Sequence, residues 1–241
     1  MGDLIDFYRE REVDVIILSE YGISAVDRPI HLNRLFRAKG WLRIKEEMGR
    51  ELLDAGASKV FAVADHQVAH IYCQEASLLP EVEKAVRAEE GVHTVLNAST
   101  KASWGVDHER AGDLIAVSDE RSWFTYYYWE DDAKAPDFAR CVDIHRKPGY
   151  DPVELFLDPA IRFPTLKIVG KLLRKKLGFR MLMDVIPLDA SLVKGSHGRI
   201  PENTDEHPVV ITPKSTNFES AGPLRSESIY EIIRKALTGK G

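Results

Sequence analysis

The sequence predicts an α/β protein built on a mostly parallel sheet, and three observations lead there. The first is the run Val13-Asp14-Val15-Ile16-Ile17-Leu18, which follows a charged helical stretch and has the Val/Ile/Leu character of a strand buried on both faces. The second is the turn Ser19-Glu20-Tyr21-Gly22 directly after it, which places Glu20 at the strand's carboxyl end, where ligands collect in open α/β sheets. The third is the succession of strand and helix patterns along the rest of the chain. With 241 residues and 44% apolar content, these have enough material for one core plus an insertion.

Taken in order, Leu4, Ile5 and Tyr8 at helical spacing predict a helix over residues 3–12, running straight into the strand at 13–18. Leu32, Leu35 and Phe36 share a helical face up to Gly40, with His31 as a helix-start histidine, and residues 41–45 alternate as a half-buried strand does. Residues 59–64 and 68–73 read as two strands joined through Asp65-His66-Gln67. Pro80 opens a helix that Gly91 stops, and residues 92–96 and 113–117 supply further strands. The aromatic run Trp123 to Trp129 predicts a strand feeding the core, with stacking on a planar ligand as the sharper alternative. Leu166, Val169, Leu172, Leu173 and Leu177 lie opposite a row of Lys and Arg, the pattern of a core helix with a solvated basic face, with docking on a membrane surface as the alternative. A strand is expected over 207–211, a surface linker rich in Pro, Ser, Thr, Asn and Gly after it, and a terminal helix over 226–237.

Composition narrows the function. A net charge of −5 and a pI near 5.9 argue against a nucleic-acid binder, which needs a concentrated Lys/Arg face. No stretch approaches the roughly 20 apolar residues that span a bilayer, so stable membrane insertion is not expected. The two cysteines, Cys73 and Cys141, suit a reducing compartment, and with no basic, apolar leader pattern at the start they point to a cytoplasmic location.

Several polar groups are candidates for chemistry. Asp65, His66 and His70 form a metal half-site or a substrate contact if the chain stays extended, and are hydrogen-bonded structural groups if the loop breaks that register. Asp143 and His145 alternate to one face of an extended segment in Cys141 to Pro152, followed by Arg146 and Lys147, which could meet phosphate oxygens; a salt-bridged surface turn is the alternative. His197 stands in Lys194-Gly195-Ser196-His197-Gly198, where the flanking glycines let the backbone curl so that the imidazole faces a cleft.

Ser19-Glu20-Tyr21-Gly22 and Gly195-Ser196-His197-Gly198 together resemble the alkaline phosphatase superfamily, in its type I phosphodiesterase and nucleotide pyrophosphatase branch. There a buried strand ends in Ser-Asp-His-Gly, whose Asp and His bind one metal of a two-metal site, and a later Gly-x-His-Gly gives a histidine to the other. The resemblance implies that Glu20 and Tyr21 stand in the places of that Asp and His, and that His197 is a metal ligand. It implies a three-layer sandwich, with residues 1–57 and 118–241 forming the core and residues 58–117 an inserted α+β unit beside the site. It also implies two divalent ions, zinc or manganese, and a phosphate-ester or nucleotide-like substrate, hydrolysed at a phosphodiester, pyrophosphate or phosphomonoester bond. A His-x-x-Pro-Gly-Tyr-Asp-Pro stretch like the one from His145 occurs in relatives of this branch. The family's nucleophile, a Thr or Ser, has no counterpart in this sequence. The chain is therefore expected to be a carboxyl-terminal portion, associating as a homo-oligomer or with an N-terminal half. The alternative function is a non-catalytic member that keeps the fold and binds a metal or ligand.

Overall fold

The computed structural model describes residues 1–213 and 222–238. Its first elements are α1 (Gly2–Arg9), β1 (Ile17–Leu18), β2 (Ser24–Ala25), β3 (Arg28–Ile30), α2 (Leu32–Ala38), β4 (Ile44–Glu47) and β5 (Arg50–Leu53). There follow β6 (Val60–Asp65), β7 (Val68–Cys73), α3 (Leu79–Arg87), β8 (Val92–Leu96), β9 (Leu114–Ser118) and β10 (Ser122–Phe124). The last are α4 (Pro164–Lys176), β11 (Gly195–Ser196), β12 (Val210–Ile211) and α5 (Ser228–Thr238). They fall in two compact units, Met1–Gly22 with Asn203–Gly241, and Ile23–Glu202. The expected linker after residue 211 lies in part, over 214–221, outside the described residues.

In the first unit β1 pairs antiparallel with β12, Ile17 opposite Ile211 and Leu18 opposite Val210. Ser19 prolongs the pairing, its N–H donating to Val209 O at 3.0 Å and its Oγ accepting from Val209 N at 2.9 Å. This corrects the expectation for residues 13–18. The strand is two residues long and antiparallel, and both Val13 and Leu18 are exposed. A Val/Ile/Leu run favours extended backbone, but its burial depends on what is laid over it.

The second unit holds a four-stranded sheet in the order β6-β7-β9-β8, antiparallel throughout. Helix α3 buries Val82 and Val86, the face its 3.6-residue period marks out. Residues 58–117 supply this sheet and α3, and they share one compact unit with residues 23–57 and 118–202. The α/β class stands. Within it, the described strands pair mostly antiparallel, and their parallel ladder is β10 on β3, with Trp123 opposite Pro29.

The aromatic run is core. Trp123, Phe124, Tyr126, Tyr127, Tyr128 and Trp129 are all at most 1% exposed, which leaves no ring face for a ligand. Trp129 is the hub, with its ring centroid 4.5 Å from Tyr127 and 5.4 Å from both Tyr126 and Tyr128. Asn33 of α2 is fully buried there; its amide donates to Ala62 O at 2.9 Å and Tyr126 O at 3.2 Å and accepts from Ala62 N at 2.7 Å. His31 stacks on Tyr127, and its Nδ1 lies 2.7 Å from Thr125 Oγ1.

Two further expectations are corrected. Residues 141–152 are not extended: 3₁₀ turns run over Ile144–Arg146 and Pro152–Leu155. Lys147 is turned inward, its side chain fully buried, with Nζ 3.0 Å from Asp151 Oδ2 and 2.5 Å from Glu154 Oε1, the latter an ion pair without hydrogen-bond geometry. It is engaged with these carboxylates and is not presented to a phosphate. Helix α4 buries none of its residues, and Leu166, Leu172 and Leu173 are exposed. The period of a helix says which residues share a face, and only packing says whether that face is covered.

Replacing Lys147 with Met is expected to cost about 3–5 kcal/mol, because two carboxylates stay buried without their cation; urea denaturation measures it, and a loss under about 1 kcal/mol would mean that water reaches the triad. A second expectation concerns acid. Burial, aided by Arg34, pushes His31 down to about 4 from an ordinary 6.5. A histidine held neutral contributes stability that is complete above pH 6.5 and is lost as pH falls toward 4, on the order of 3 kcal/mol. His31→Asn should flatten the stability profile in that window, and an unchanged slope would assign the acid sensitivity to other groups.

Candidate functional site

Pairing of Asp65 with Val68 leaves His66 and Gln67 as the turn between β6 and β7. His66 is left-handed there, with φ +55°, a conformation that costs a non-glycine residue about 1–2 kcal/mol. Backbone contacts hold it in place. Phe124 N donates to His66 O at 2.7 Å, and Gln67 N donates to His197 O at 2.9 Å. The second bond brings the glycine-flanked histidine onto the turn, and the two imidazole centroids lie 3.9 Å apart at an interplanar angle of 35°. Gly198, with φ +116°, supplies the curl after His197.

Tyr150 completes the cluster. Gly149 forms a parallel bridge with Ala64, Tyr150 N donates to Ala64 O at 2.8 Å, and the phenol ring lies 4.5 Å from His66. The approach requires glycine, since a Cβ at residue 149 would stand 2.2 Å from Ala64 O and φ there is +122°. Sequence reasoning passed over Tyr150 as a site residue, and its signal was the Pro-Gly pair before it.

Burial, with a smaller push from the neighbouring His197, lowers His66 to about 4, so its imidazole is neutral at physiological pH. Its Nδ1 is buried with no hydrogen-bond partner among the described residues. An unpaired buried nitrogen costs about 1–3 kcal/mol and marks a place where a ligand's donor or a metal would be stabilising.

The remaining candidates are placed as follows. His70 lies within β7, its Nδ1 accepting from Gly112 N at 3.1 Å. The idea that it shares a strand face with His66 is overturned, because the turn takes His66 out of the strand register. Asp143 and His145 do not share an extended face either; Asp143 pairs with Arg146 at 3.1 Å across the 3₁₀ turn, and His145 and Arg146 are exposed. Glu20 and Tyr21 are exposed in the first unit, where Glu20 lines a cleft of about 690 Å³ with Ser19, His207 and Val209.

For a metal, the pair His66 and His197 offers the nitrogen donors that zinc takes. Yet the rings meet face against face, and among the described residues no group of three or more His, Cys, Asp or Glu side chains is arranged to hold an ion. The donor set does not fit a metal centre, and no chemical step is derived through one.

The left-handed turn gives a direct test. His66→Ala and His66→Gly both remove the imidazole, and the glycine variant should be the more stable by about 1 kcal/mol in urea denaturation, because it alone relieves the backbone. Equal stabilities would mean that the turn relaxes once the ring is gone.

No curated protein matches the chain. Among solved structures it is similar to murine ectonucleotide pyrophosphatase/phosphodiesterase 5, at 21% identity and TM-score 0.36, over 54% of this chain and 32% of that one. It is also similar to phosphonoacetate hydrolase from Sinorhizobium meliloti with bound phosphonoformate, at 15% identity and TM-score 0.38, over 52% of this chain and 31% of that one. The chain thus spans about a third of the length of these proteins. The family model described as type I phosphodiesterase / nucleotide pyrophosphatase matches residues 1–151, which include Glu20, Tyr21, His66 and Tyr150, while His197 lies beyond the match. The match covers more than half of the sequence, and the chain belongs to the type I phosphodiesterase / nucleotide pyrophosphatase family.

Proposed function

We propose that this chain is the carboxyl-terminal portion of a hydrolase of phosphate-ester bonds, acting on a nucleotide-like or other small phosphorylated substrate. Family membership supplies the reaction class. The observation that carries the reading to a place is the neutral His66 imidazole, packed on His197 and Tyr150 with its Nδ1 unpartnered. Such a nitrogen is suited to meet a hydrogen-bond donor of a small substrate beside the Tyr150 ring. The nucleophile and the remaining ligands for zinc or manganese belong, in this reading, to sequence outside these 241 residues.

The rival is a ligand-binding member without catalysis. It is favoured by the lack of a three-donor group among the described residues and by Glu20-Tyr21 where the family pattern has Asp-His. Turnover of a chromogenic phosphate ester, measured on this chain joined to the sequence that carries the nucleophile, separates the two. The hydrolase reading expects hydrolysis that falls at least tenfold in His197→Ala. Binding of the ester without turnover, or a variant as active as the unaltered protein, would favour the rival.

A further inference from the structure

Six cations line one cleft of about 530 Å³ in the second unit, against two carboxylates, Asp137 and Asp184. In a chain of net charge −5 this concentration is not a consequence of composition. Three of the cations are matched: Arg140 lies 3.7 Å from Asp158, Arg146 lies 3.1 Å from Asp143, and Lys171 lies 2.5 Å from Asp184. Burial works to raise the Asp184 carboxyl, but its bonds from Lys171 and Lys167 outweigh this and hold it below the ordinary value. The other three are not matched. Arg50 is held by backbone, its Nη1 donating to Ala133 O at 2.6 Å, and neither it nor Arg174 nor Arg180 has a carboxylate partner among the described residues. Guanidinium groups sharing one concavity repel each other, and each offers a planar fork suited to a phosphate oxygen pair.

The rest of the lining is apolar, with Ala135, Pro136, Met181 and Leu182. The volume suits a small molecule, since ligand clefts run to roughly 300–1,000 Å³. A nucleic acid would instead call for a broad basic face on a basic domain. We infer that this cleft binds a small phosphorylated molecule with at least two phosphate groups, held by Arg50, Arg174 and Arg180 and resting its uncharged part on Met181 and Leu182. Neither His66 nor His197 lines the cleft, so this binding stands apart from the proposed hydrolysis and survives its failure.

The probe is inorganic tripolyphosphate, titrated calorimetrically into the full chain in metal-free, low-salt buffer. One saturable site is expected, weakened at least tenfold in the double variant Arg174→Gln with Arg180→Gln. The variant Lys39→Gln with Lys84→Gln removes the same charge from exposed positions elsewhere and should stay within twofold of wild type. On the unaltered chain, tripolyphosphate should protect Arg174 and Arg180 from phenylglyoxal, read by peptide mass. Absent saturation, equal weakening in both variants, or unprotected arginines would each overturn the inference. So would phosphatidylserine vesicles that bind the chain without competition from tripolyphosphate, since the basic surface would then serve a lipid bilayer.

Discussion

A single buried amide, that of Asn33, ties together the parts of the second unit on which the candidate site depends. It bonds both backbone groups of Ala62 in β6 and the carbonyl of Tyr126 in the aromatic segment, so helix α2, the sheet and the core strand are fixed to one another at one point. In a dry interior each of these bonds is strong, and losing the amide would leave three backbone groups unpaired. Ala62 lies in the strand whose end is the His66 turn, and β10, paired with β3, delivers Phe124, whose N–H holds His66 O. The position of the imidazole therefore follows from the core, although the ring itself lies at the edge.

The loop from Asp143 to Glu154 serves two opposite electrostatic purposes. Its inner side buries Lys147 between Asp151 and Glu154, where burial raises Asp151 against the pull of the lysine. Such a triad contributes little net stability over an apolar one, but it fixes the loop, because removing any member strands the others. Its outer side presents Arg146 to the basic cleft, and its middle carries Gly149 and Tyr150 against the end of β6. One rigid turn thus sets a phenol beside His66 and a guanidinium at the cleft.

The sequence was legible where a signal is local. The helix with Val82 and Val86 on one face, the strands on either side of His66, and the burial of the aromatic run all stand where periodicity and composition put them, although the strand expected over Trp123 to Trp129 ends at Phe124. The glycine after His197 also has the backbone conformation that the motif implied. Where expectation and structure part, extended geometry fails for two reasons. At Asp65-His66-Gln67 the chain turns with its backbone held from elsewhere in the fold, by Phe124 N and His197 O, and at Asp143-Ile144-His145 it turns on its own bond from Arg146 N to Asp143 O.

By itself, then, the sequence determined the family through residues 1–151, the mixed α/β class, and which residue types carry chemistry, since side-chain chemistry and periodicity are properties of the chain. The tertiary structure alone decided that His66 meets His197 and Tyr150, that Lys147 faces inward while Arg146 faces out, and that the apolar sides of α4 and β1 are exposed. Each of those outcomes depends on which surfaces the fold brings together, and burial is a property of pairs of elements that no single stretch of residues contains.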